Sequence, residues 1–226
     1  MILVTGASRG LGAAICKRLV EQGREVVGLA RNDAPEAGYP IRVCDVTSYD
    51  SWRQLARELR SERVEVEALV NAAGVASMNL AVTTPENVTR RVVETNLMGT
   101  IFGCQAIAPL MIRRKAGTVV NFSTIAVQLG LKGESVYVAS KAGVEGFSRA
   151  FAREMADFGI TVNCVAPGPI RTDLLRGVSD EQIDAIVKQQ IIRTVFGPDA
   201  VCDTVEMLLS PLARAVTGQV IHVGGA

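Results

Sequence analysis

Short apolar runs alternate along the chain with longer amphipathic stretches. The apolar runs cover residues 1–4, 25–29, 40–44, 68–71, 118–122, 161–166 and 219–223. Runs of this length, bounded by glycine, proline or polar residues, predict buried strands. Strands that alternate with helical patterns predict an α/β fold, a doubly wound, seven-stranded parallel sheet flanked by helices.

Apolar residues that recur at helical spacing predict the connecting helices. The first predicted helix begins at about residue 11, after the first strand. The later predicted helices cover residues 50–60, 84–114, 137–158, 179–192 and 198–209. Thr84 and Pro85 predict a capped helix start, with threonine as the cap and proline at the first position. Ser179-Asp-Glu-Gln182 is a capping box that opens a later helix. Residues 32–39 leave no room for a full crossover helix between the second and third strands.

No linker, repeat or low-complexity stretch divides the 226 residues. We therefore expect one domain, residues 1–226, with a dinucleotide-binding half over about 1–115 and a catalytic and substrate half over about 116–226. The 24 basic and 23 acidic residues nearly balance, which gives no indication of nucleic-acid or membrane-surface binding. No apolar run approaches the roughly 20 residues that span a bilayer.

Five cysteines are scattered without metal-ligand spacing, at positions 16, 44, 104, 164 and 202. This pattern is typical of buried thiols in a reducing compartment, so we expect a cytoplasmic protein without a metal site. The first residues already form a strand, so we expect no leader peptide.

A glycine-rich loop, Thr5-Gly-Ala-Ser-Arg-Gly-Leu-Gly12, lies between the first strand and an amphipathic helix. Glycines at 6, 10 and 12 allow a tight turn, a close approach of backbone to pyrophosphate, and close packing of helix on strand. A dinucleotide site is one interpretation of this segment, and an ordinary glycine-rich turn is the other.

The residues after the second strand bear on the choice of dinucleotide. An acidic residue there favours NAD, whereas this chain has Ala30-Arg31, and Arg9 lies within the glycine loop. Two guanidinium groups suit a 2′-phosphate, so NADP(H) is the predicted cofactor. The alternative is that both are solvated surface arginines.

Tyr137 and Lys141 are four residues apart at the start of a long predicted helix, and so lie on one face of it. An ammonium group near a phenol favours the phenolate, so we expect Lys141 to lower the pKa of Tyr137. Such a phenol can exchange a proton with a substrate oxygen. Asn96 interrupts a predicted helix, either as a satisfied core amide or as a helix-kinking, water-binding group.

Together, these segments resemble the short-chain dehydrogenase/reductase family over essentially the whole chain. The 3-oxoacyl-[acyl-carrier-protein] reductase branch, which belongs to fatty acid biosynthesis, is the most similar. The motifs that carry the resemblance are Thr5–Gly12, Asp45-Val46, Asn71-Ala-Ala-Gly74, Asn96, Tyr137-Val-Ala-Ser-Lys141, and Pro167, Gly168 and Pro169 leading to Thr172.

The resemblance implies a role for each matching residue. Tyr137 would be the general acid, Lys141 would lower its pKa and hold the nicotinamide ribose, and Asn96 would anchor a water in the proton relay. The implied cofactor contacts are Gly6, Ser8, Arg9, Gly10, Leu11, Gly12, Arg31, Asp45, Val46, Asn71, Ala72, Gly74, Tyr137, Lys141, Pro167, Gly168, Ile170 and Thr172. Of these, Asp45 and Val46 would meet adenine, Asn71 and Gly74 the neighbouring ribose, and Ile170 and Thr172 the nicotinamide carboxamide.

The chain departs from the family pattern at the catalytic serine, whose position is Thr124 rather than the neighbouring Ser123. A threonine hydroxyl can make the same hydrogen bond, so we expect Thr124 to supply it while Ser123 points to the other side. The short connection 32–39 is a second departure, because it exposes the adenosine side. Residues 173–194, which should cover the substrate, are partly apolar. This composition fits a medium-sized, partly apolar substrate but does not identify it.

The resemblance implies an NADPH-dependent reductase of a carbonyl to a secondary alcohol. A 3-oxoacyl thioester is one substrate, and a polyketide, sugar, or cyclic ketone or diol is another. A non-catalytic NADP(H)-binding sensor is the rival from a different class. An acyl carrier protein would need a basic docking surface, for which Arg113, Arg114 and Lys115 are candidates. The family also implies a homodimer or homotetramer.

Overall fold

The computed structural model describes residues 1–170 and 179–225, and seven parallel strands in this part of the chain form one sheet. The strands are β1 (Ile2–Thr5), β2 (Val26–Ala30), β3 (Ile41–Val43), β4 (Ala68–Asn71), β5 (Gly117–Phe122), β6 (Ile160–Pro167) and β7 (Val220–Val223). Their order is β3-β2-β1-β4-β5-β6-β7. The predicted α/β fold and doubly wound sheet are confirmed. The order reverses between β1 and β4, and a crevice opens at the carboxyl ends of strands at such a point.

Helices cover both faces of the sheet. They are α1 (Gly10–Glu21), α2 (Tyr49–Ser61), α3 (Glu86–Val93), α4 (Gly99–Ile112), α5 (Ala126–Leu129), α6 (Ser135–Met155), α7 (Asp180–Val187) and α8 (Pro198–Leu209). Because successive strand residues point to opposite faces, Ile2 and Val4 pack in the core that α1 and α8 cover, and Leu3 packs in the core beneath α2, α4 and α6.

The connection between β2 and β3 contains one short 3-10 turn, Pro35–Ala37, and no α-helix. Tyr39 packs at its end, where its hydroxyl donates a 2.7 Å hydrogen bond to the carbonyl of Ala7. A single aromatic side chain therefore ties this connection to the loop after β1. The prediction that 32–39 lacks a crossover helix is confirmed.

The helix predicted over 84–114 begins later and is interrupted. Its N-cap residue is Pro85 and α3 starts at Glu86, whereas the Thr84 hydroxyl donates to the carbonyl of Leu80, 2.9 Å away. Thr84 thus closes the preceding 3-10 turn, and its prediction as the cap was wrong. A π-helical turn, Glu94–Met98, separates α3 from α4.

The capping box at Ser179 is confirmed, because its hydroxyl accepts from the backbone of Gln182, whose side chain accepts from the backbone of Ser179. The helix is shorter than predicted and ends at Val187 rather than near residue 192. Beyond it, the Gln190 amide donates to the carbonyls of Ile192 and Thr194, which turns the chain back.

One helical stretch, Glu86–Ile112, is long and apolar enough to cross a membrane by length and composition. The sequence had predicted no such run. Half of its most apolar window is buried within the protein, where α4 packs against the sheet. The stretch is therefore accounted for as a core helix. All five cysteines are buried thiols, as predicted.

Candidate functional site

A cleft of about 750 Å³ follows the carboxyl ends of the strands, from the end of β2 across β1 and β4 to the end of β6. Most of the predicted site residues line it: Gly6, Ser8, Arg9, Gly10, Leu11, Gly12, Arg31, Asp45, Val46, Ala72, Gly74, Thr124, Tyr137, Lys141, Pro167, Gly168 and Ile170. Thr172 lies outside the described residues. The fold thus brings distant motifs to one crevice, at the reversal of strand order.

The glycine loop forms the floor of this cleft between β1 and α1. A Cβ atom at Gly12 would clash with the carbonyl of Gly6, so the helix could not approach the strand as it does. Gly10 has a φ of +61°, and a Cβ built there meets no atom within 4 Å. The first turn of α1 therefore presents backbone N–H groups to open space, which suits a pyrophosphate. On this observation the loop fits a dinucleotide.

The end of the cleft next to β2, here called the adenosine end, is exposed. Arg9 and Arg31 both line it, and both are exposed to solvent. The residue directly after Ala30, where β2 ends, is Arg31 rather than an acidic residue. Asp45 also lines the cleft, and its Oδ1 accepts hydrogen bonds from the backbone and hydroxyl of Thr47 at 3.0 and 2.9 Å. The carboxylate is therefore both a turn-forming group and a wall of the cleft.

Asn71 differs from the expectation that it meets the cofactor ribose. Its buried side chain donates to Asn121 Oδ1 at 2.9 Å, underneath the sheet end. Asn71 ends β4, and the alternation along the strand turns this side chain away from the cleft. The residues that line the cleft here are Ala72 and Gly74, which follow the strand.

The opposite end of the cleft, here called the catalytic end, is built on the first turns of α6. Tyr137 and Lys141 both line it and are both buried. The Lys141 ammonium donates a 2.8 Å hydrogen bond to the carbonyl of Phe122 at the end of β5. The helix start is fixed in turn by Ser140, whose hydroxyl donates to the carbonyl of Tyr137 at 2.7 Å.

Burial dominates the electrostatics of this end. It raises the pKa of the Tyr137 phenol, the nearby Glu134 carboxylate raises this pKa further, and a hydrogen bond with Thr124 opposes the rise. Burial also lowers the pKa of Lys141 to about 8. The expectation that Lys141 lowers the pKa of Tyr137 is not met in this arrangement, because the ammonium is directed at the Phe122 carbonyl.

The two adjacent hydroxyls after β5 point in different directions, as predicted. Ser123 donates a 2.6 Å hydrogen bond to the buried Glu145 carboxylate on α6. Thr124 instead accepts from the backbone of Ala126, and it lines the cleft together with Tyr137. Thr124 is therefore the hydroxyl that shares the catalytic end with the phenol.

Asn96 matches the first of its two interpretations, a satisfied core amide. Its side chain is fully buried, accepts from the backbone of Val75 at 2.8 Å, and donates to Val75 and Ser140. It is therefore a satisfied core amide, and it also lies in the π-helical turn. A Cβ built on Gly74 would be 3.4 Å from Asn96 Oδ1 and 3.5 Å from Lys141 Nζ, so the amide and the ammonium border the same small space.

Sequence reasoning missed Glu134, which lines the cleft beside Tyr137. Glu134 lies three residues before Tyr137 in the sequence, about one helical turn, and this spacing could have identified it as a neighbour of the phenol. The basic candidates Arg113, Arg114 and Lys115 lie elsewhere, just before β5 begins at Gly117. They are therefore at the amino end of the strands, across the sheet from the cleft.

A match to a family model described as "Enoyl-(Acyl carrier protein) reductase" covers residues 6–225. The chain is 37% identical over 237 residues to the 3-oxoacyl-[acyl-carrier-protein] reductase FabG of Staphylococcus epidermidis, covering 99% of this chain and 96% of that protein. The corresponding Salmonella typhimurium protein is 36% identical over 234 residues, with 99% and 95% covered.

Solved structures share the same fold. The ligand-free aldohexose dehydrogenase of Thermoplasma acidophilum has a TM-score of 0.89 and 30% identity, with 99% of this chain and 92% of that chain covered. A 4-hydroxyisoleucine dehydrogenase mutant complexed with NADH and succinate has a TM-score of 0.90 and 25% identity, with 99% and 97% covered. Proteins of this fold are thus named for different substrates, so substrate and cofactor choice rest on individual residues.

Proposed function

The chain belongs to the short-chain dehydrogenase/reductase family, whose members are oxidoreductases, and on that premise we propose that it is an NADPH-dependent carbonyl reductase. The observation that carries the proposal is the shared cleft. A phenol, a hydroxyl and an ammonium group meet at one end of it, and a glycine loop that fits a dinucleotide forms its floor. When bound, NADPH supplies the hydride.

The residues of the catalytic end have separate roles in this proposal. The Tyr137 hydroxyl donates a proton to the carbonyl oxygen as that oxygen gains negative charge. Thr124 donates a second hydrogen bond to the same oxygen and so stabilises its developing charge. A phenol whose pKa is raised by burial is held in its protonated form, which is the form that reduction requires.

Lys141 and Asn96 support this acid. With a pKa near 8, the Lys141 amine exchanges protons close to neutral pH, so it can return one to Tyr137 after each turnover. Lys141 would also hold the nicotinamide ribose. Asn96 fixes the backbone of Val75 at the edge of this space and positions the start of α6 through Ser140.

Preference for NADPH over NADH rests on Arg9 and Arg31 at the adenosine end. Both are exposed in the cleft, and the residue directly after β2 is Arg31 rather than a carboxylate that could bind a free ribose diol. Guanidinium groups pair with a phosphate through charge-assisted hydrogen bonds. A 4-hydroxyisoleucine dehydrogenase of the same fold has been captured with NADH, so the arginines rather than the fold carry this part of the proposal.

The names of the relatives make 3-oxoacyl thioesters one substrate class to test. The assay follows NADPH oxidation by its absorbance, with acetoacetyl and longer 3-oxoacyl thioesters beside simple and hydroxylated ketones, and with NADH run in parallel. Turnover of any carbonyl with NADPH preferred supports the proposal. Tight NADPH binding without turnover across the panel would contradict it and favour the sensor.

Tyr137→Phe separates an enzyme from a sensor. This variant removes only the phenolic hydroxyl, so we expect kcat to fall about 1,000-fold while NADPH affinity stays within about threefold of wild type. Turnover comes from the kinetic assay and affinity from the fluorescence of bound NADPH. Unchanged turnover in the variant would remove Tyr137 from the mechanism.

The remaining parts of the proposal concern assembly and location. We propose a homodimer or homotetramer in the cytoplasm, supported by the five reduced, buried thiols and by the small residues Ala139, Ala142 and Gly146 on the outer face of α6. A mass measurement at micromolar concentration tests the assembly, and a monomer would contradict it.

A further inference from the structure

A carboxylate stands beside the proposed acid at the catalytic end of the cleft. Glu134 precedes Tyr137 by three residues at the start of α6, lines the same cleft, and is half-buried. It is the N-cap residue of α6, yet its side chain makes no capping hydrogen bond. Among the ion pairs formed within 1–170 and 179–225, none includes Glu134.

The position of this carboxylate is unfavourable without a partner. Burial raises the pKa of Glu134 because the charged form loses solvation. The charge also acts on the phenol, whose pKa it raises. Glu134 is the N-cap residue of α6, whose first turn carries Tyr137, and both residues line the same cleft. A small ligand whose carbonyl oxygen reaches Tyr137 can therefore contact the carboxylate with a neighbouring atom.

Apolar side chains form part of the lining of this cleft. Leu131, Ile186 and Met78 line the same cleft as Glu134, and Arg91, a basic residue that also lines it, is exposed. Binding sites commonly combine such an apolar wall with a few polar groups that fix orientation. Of the two glutamates that line the cleft, Glu94 is exposed and Glu134 is half-buried. The half-buried carboxylate can accept a hydrogen bond from a ligand.

We propose, on the basis of the carbonyl reductase function above, that Glu134 is a specificity-determining residue that accepts a hydrogen bond from a hydroxyl or ammonium group next to the reacting carbonyl. The preferred substrates are then ketones with a hydrogen-bond donor on the adjacent carbon. Ketones with a carboxylate at that place are disfavoured, because two negative charges would face each other.

This preference differs from the substrate named for the curated relatives. A 3-oxoacyl thioester carries a second carbonyl, an acceptor, near its ketone and has no donor there. Its binding would remove water from Glu134 without replacing the lost hydrogen bonds, which is the usual basis of strong discrimination by a polar site. We expect kcat/KM to favour a hydroxy ketone over its unsubstituted analogue by about 10- to 100-fold.

The test compares matched substrates. Wild type, Glu134→Ala and Glu134→Gln are assayed by NADPH oxidation with 3-hydroxy-2-butanone against 2-butanone, with aminoacetone, with acetoacetate, and with the acetoacetyl thioester of N-acetylcysteamine. Glu154→Gln is the control, because Glu154 lies on the same helix but is exposed and outside the cleft. Since Glu134 makes no capping bond, the variants should melt close to wild type.

Wild type and Glu154→Gln should prefer the hydroxy ketone at least tenfold, and Glu134→Ala should reduce this ratio to about twofold. Glu134→Gln keeps an acceptor, so it should retain part of the hydroxyl preference and lose the preference for aminoacetone. Butane-2,3-diol should raise the melting temperature of wild type and of Glu154→Gln but not of Glu134→Ala, which is a reading independent of turnover.

Two results would overturn the inference in distinguishable ways. If wild type prefers the thioester, and Glu134→Ala leaves every ratio unchanged, Glu134 does not set specificity although the enzyme is a carbonyl reductase. If wild type reduces none of these carbonyls, nor longer 3-oxoacyl thioesters, the proposed function and the inference fail together.

Discussion

At the catalytic end of the cleft, Tyr137 and Lys141 are buried, and the Lys141 ammonium donates a hydrogen bond to the end of β5. At the adenosine end, Arg9 and Arg31 are exposed, and no α-helix covers the connection from β2 to β3. One crevice therefore combines a desolvated half with a solvated half. Burial shifts the pKa values of the first half, whereas the charges of the second remain in water.

This contrast predicts how each end responds to change. Buried groups act through fixed geometry and altered pKa values, so substitutions there should affect turnover or stability strongly and salt should matter little. Exposed charges act through screened attraction, so substitutions there should change affinity modestly, in a way that salt removes. Substitutions at the buried end should therefore have the largest effects, and substitutions at the exposed end the smallest.

Lys141 should make folding stability depend on alkaline pH. Its pKa is about 8 in the folded protein and 10.5 as a reference for the unfolded chain. Between these values the unfolded state binds the proton and the folded state does not, so stability rises with pH. Relative to Lys141→Met, wild type should gain up to about 3 kcal/mol in the free energy of unfolding between pH 7.5 and 10.5.

Urea unfolding of both proteins across this pH range provides the measurement. The difference between them isolates Lys141, since the other titrating groups are common to both chains. A constant difference would mean that the ammonium is solvated, and the two ends of the cleft would then be alike.

Thr124 and Ser123 form a natural pair for the second prediction. Thr124→Ala should lower kcat about 100-fold and leave the melting temperature close to wild type, because the lost hydroxyl lies in the cleft with Tyr137 rather than in the core. Ser123→Ala should keep kcat within about threefold but destabilise the fold by about 1–3 kcal/mol, since the buried Glu145 carboxylate loses its 2.6 Å hydrogen bond.

Thr124→Ser is the matched control, and it should recover most of the turnover because the hydroxyl is restored. Steady-state kinetics and thermal melting of the same samples provide both readings. If Ser123→Ala loses turnover and Thr124→Ala does not, the two hydroxyls have been assigned the wrong way round.

The sequence was most informative where short-range physics decides the outcome. Strand length, alternation and glycine spacing predicted the sheet and the loop between β1 and α1. The box at Ser179 is equally local, because its partners are three residues apart. Thr84 shows the limit. Its hydroxyl could either cap the following helix or bond to the preceding turn, and it donates to the carbonyl of Leu80 in that turn.

Within the site, sequence motifs predicted which segments meet at the cleft better than they predicted the contacts of individual side chains. Asn71 belongs to a motif that lines the cleft, yet its amide pairs with Asn121, which is 50 positions later. The pKa of Tyr137 depends on burial and on Glu134 more than on the spacing to Lys141. Both outcomes depend on contacts between separate elements of the fold, which the spacing of residues within one motif cannot predict.

The smallest effect is expected at the adenosine end. Arg31→Ala and Arg9→Ala should each raise the KM for NADPH about tenfold and leave the KM for NADH within about twofold, because NADH lacks the 2′-phosphate. The double variant should approach the KM for NADH. Arg57→Ala, an exposed arginine on α2 outside the cleft, is the control and should change neither value.

The dependence of NADPH affinity on salt shows whether the charges at this end are solvated or buried. Raising ionic strength from about 0.05 to 0.3 M shortens the screening length about 2.4-fold, which weakens the attraction between exposed charges. Wild type should therefore lose NADPH affinity over this range, and the double variant should lose much less. Equal losses would show that the arginines do not face the phosphate, and a wild type insensitive to salt would show that cofactor binding orders this end into a buried site like the other.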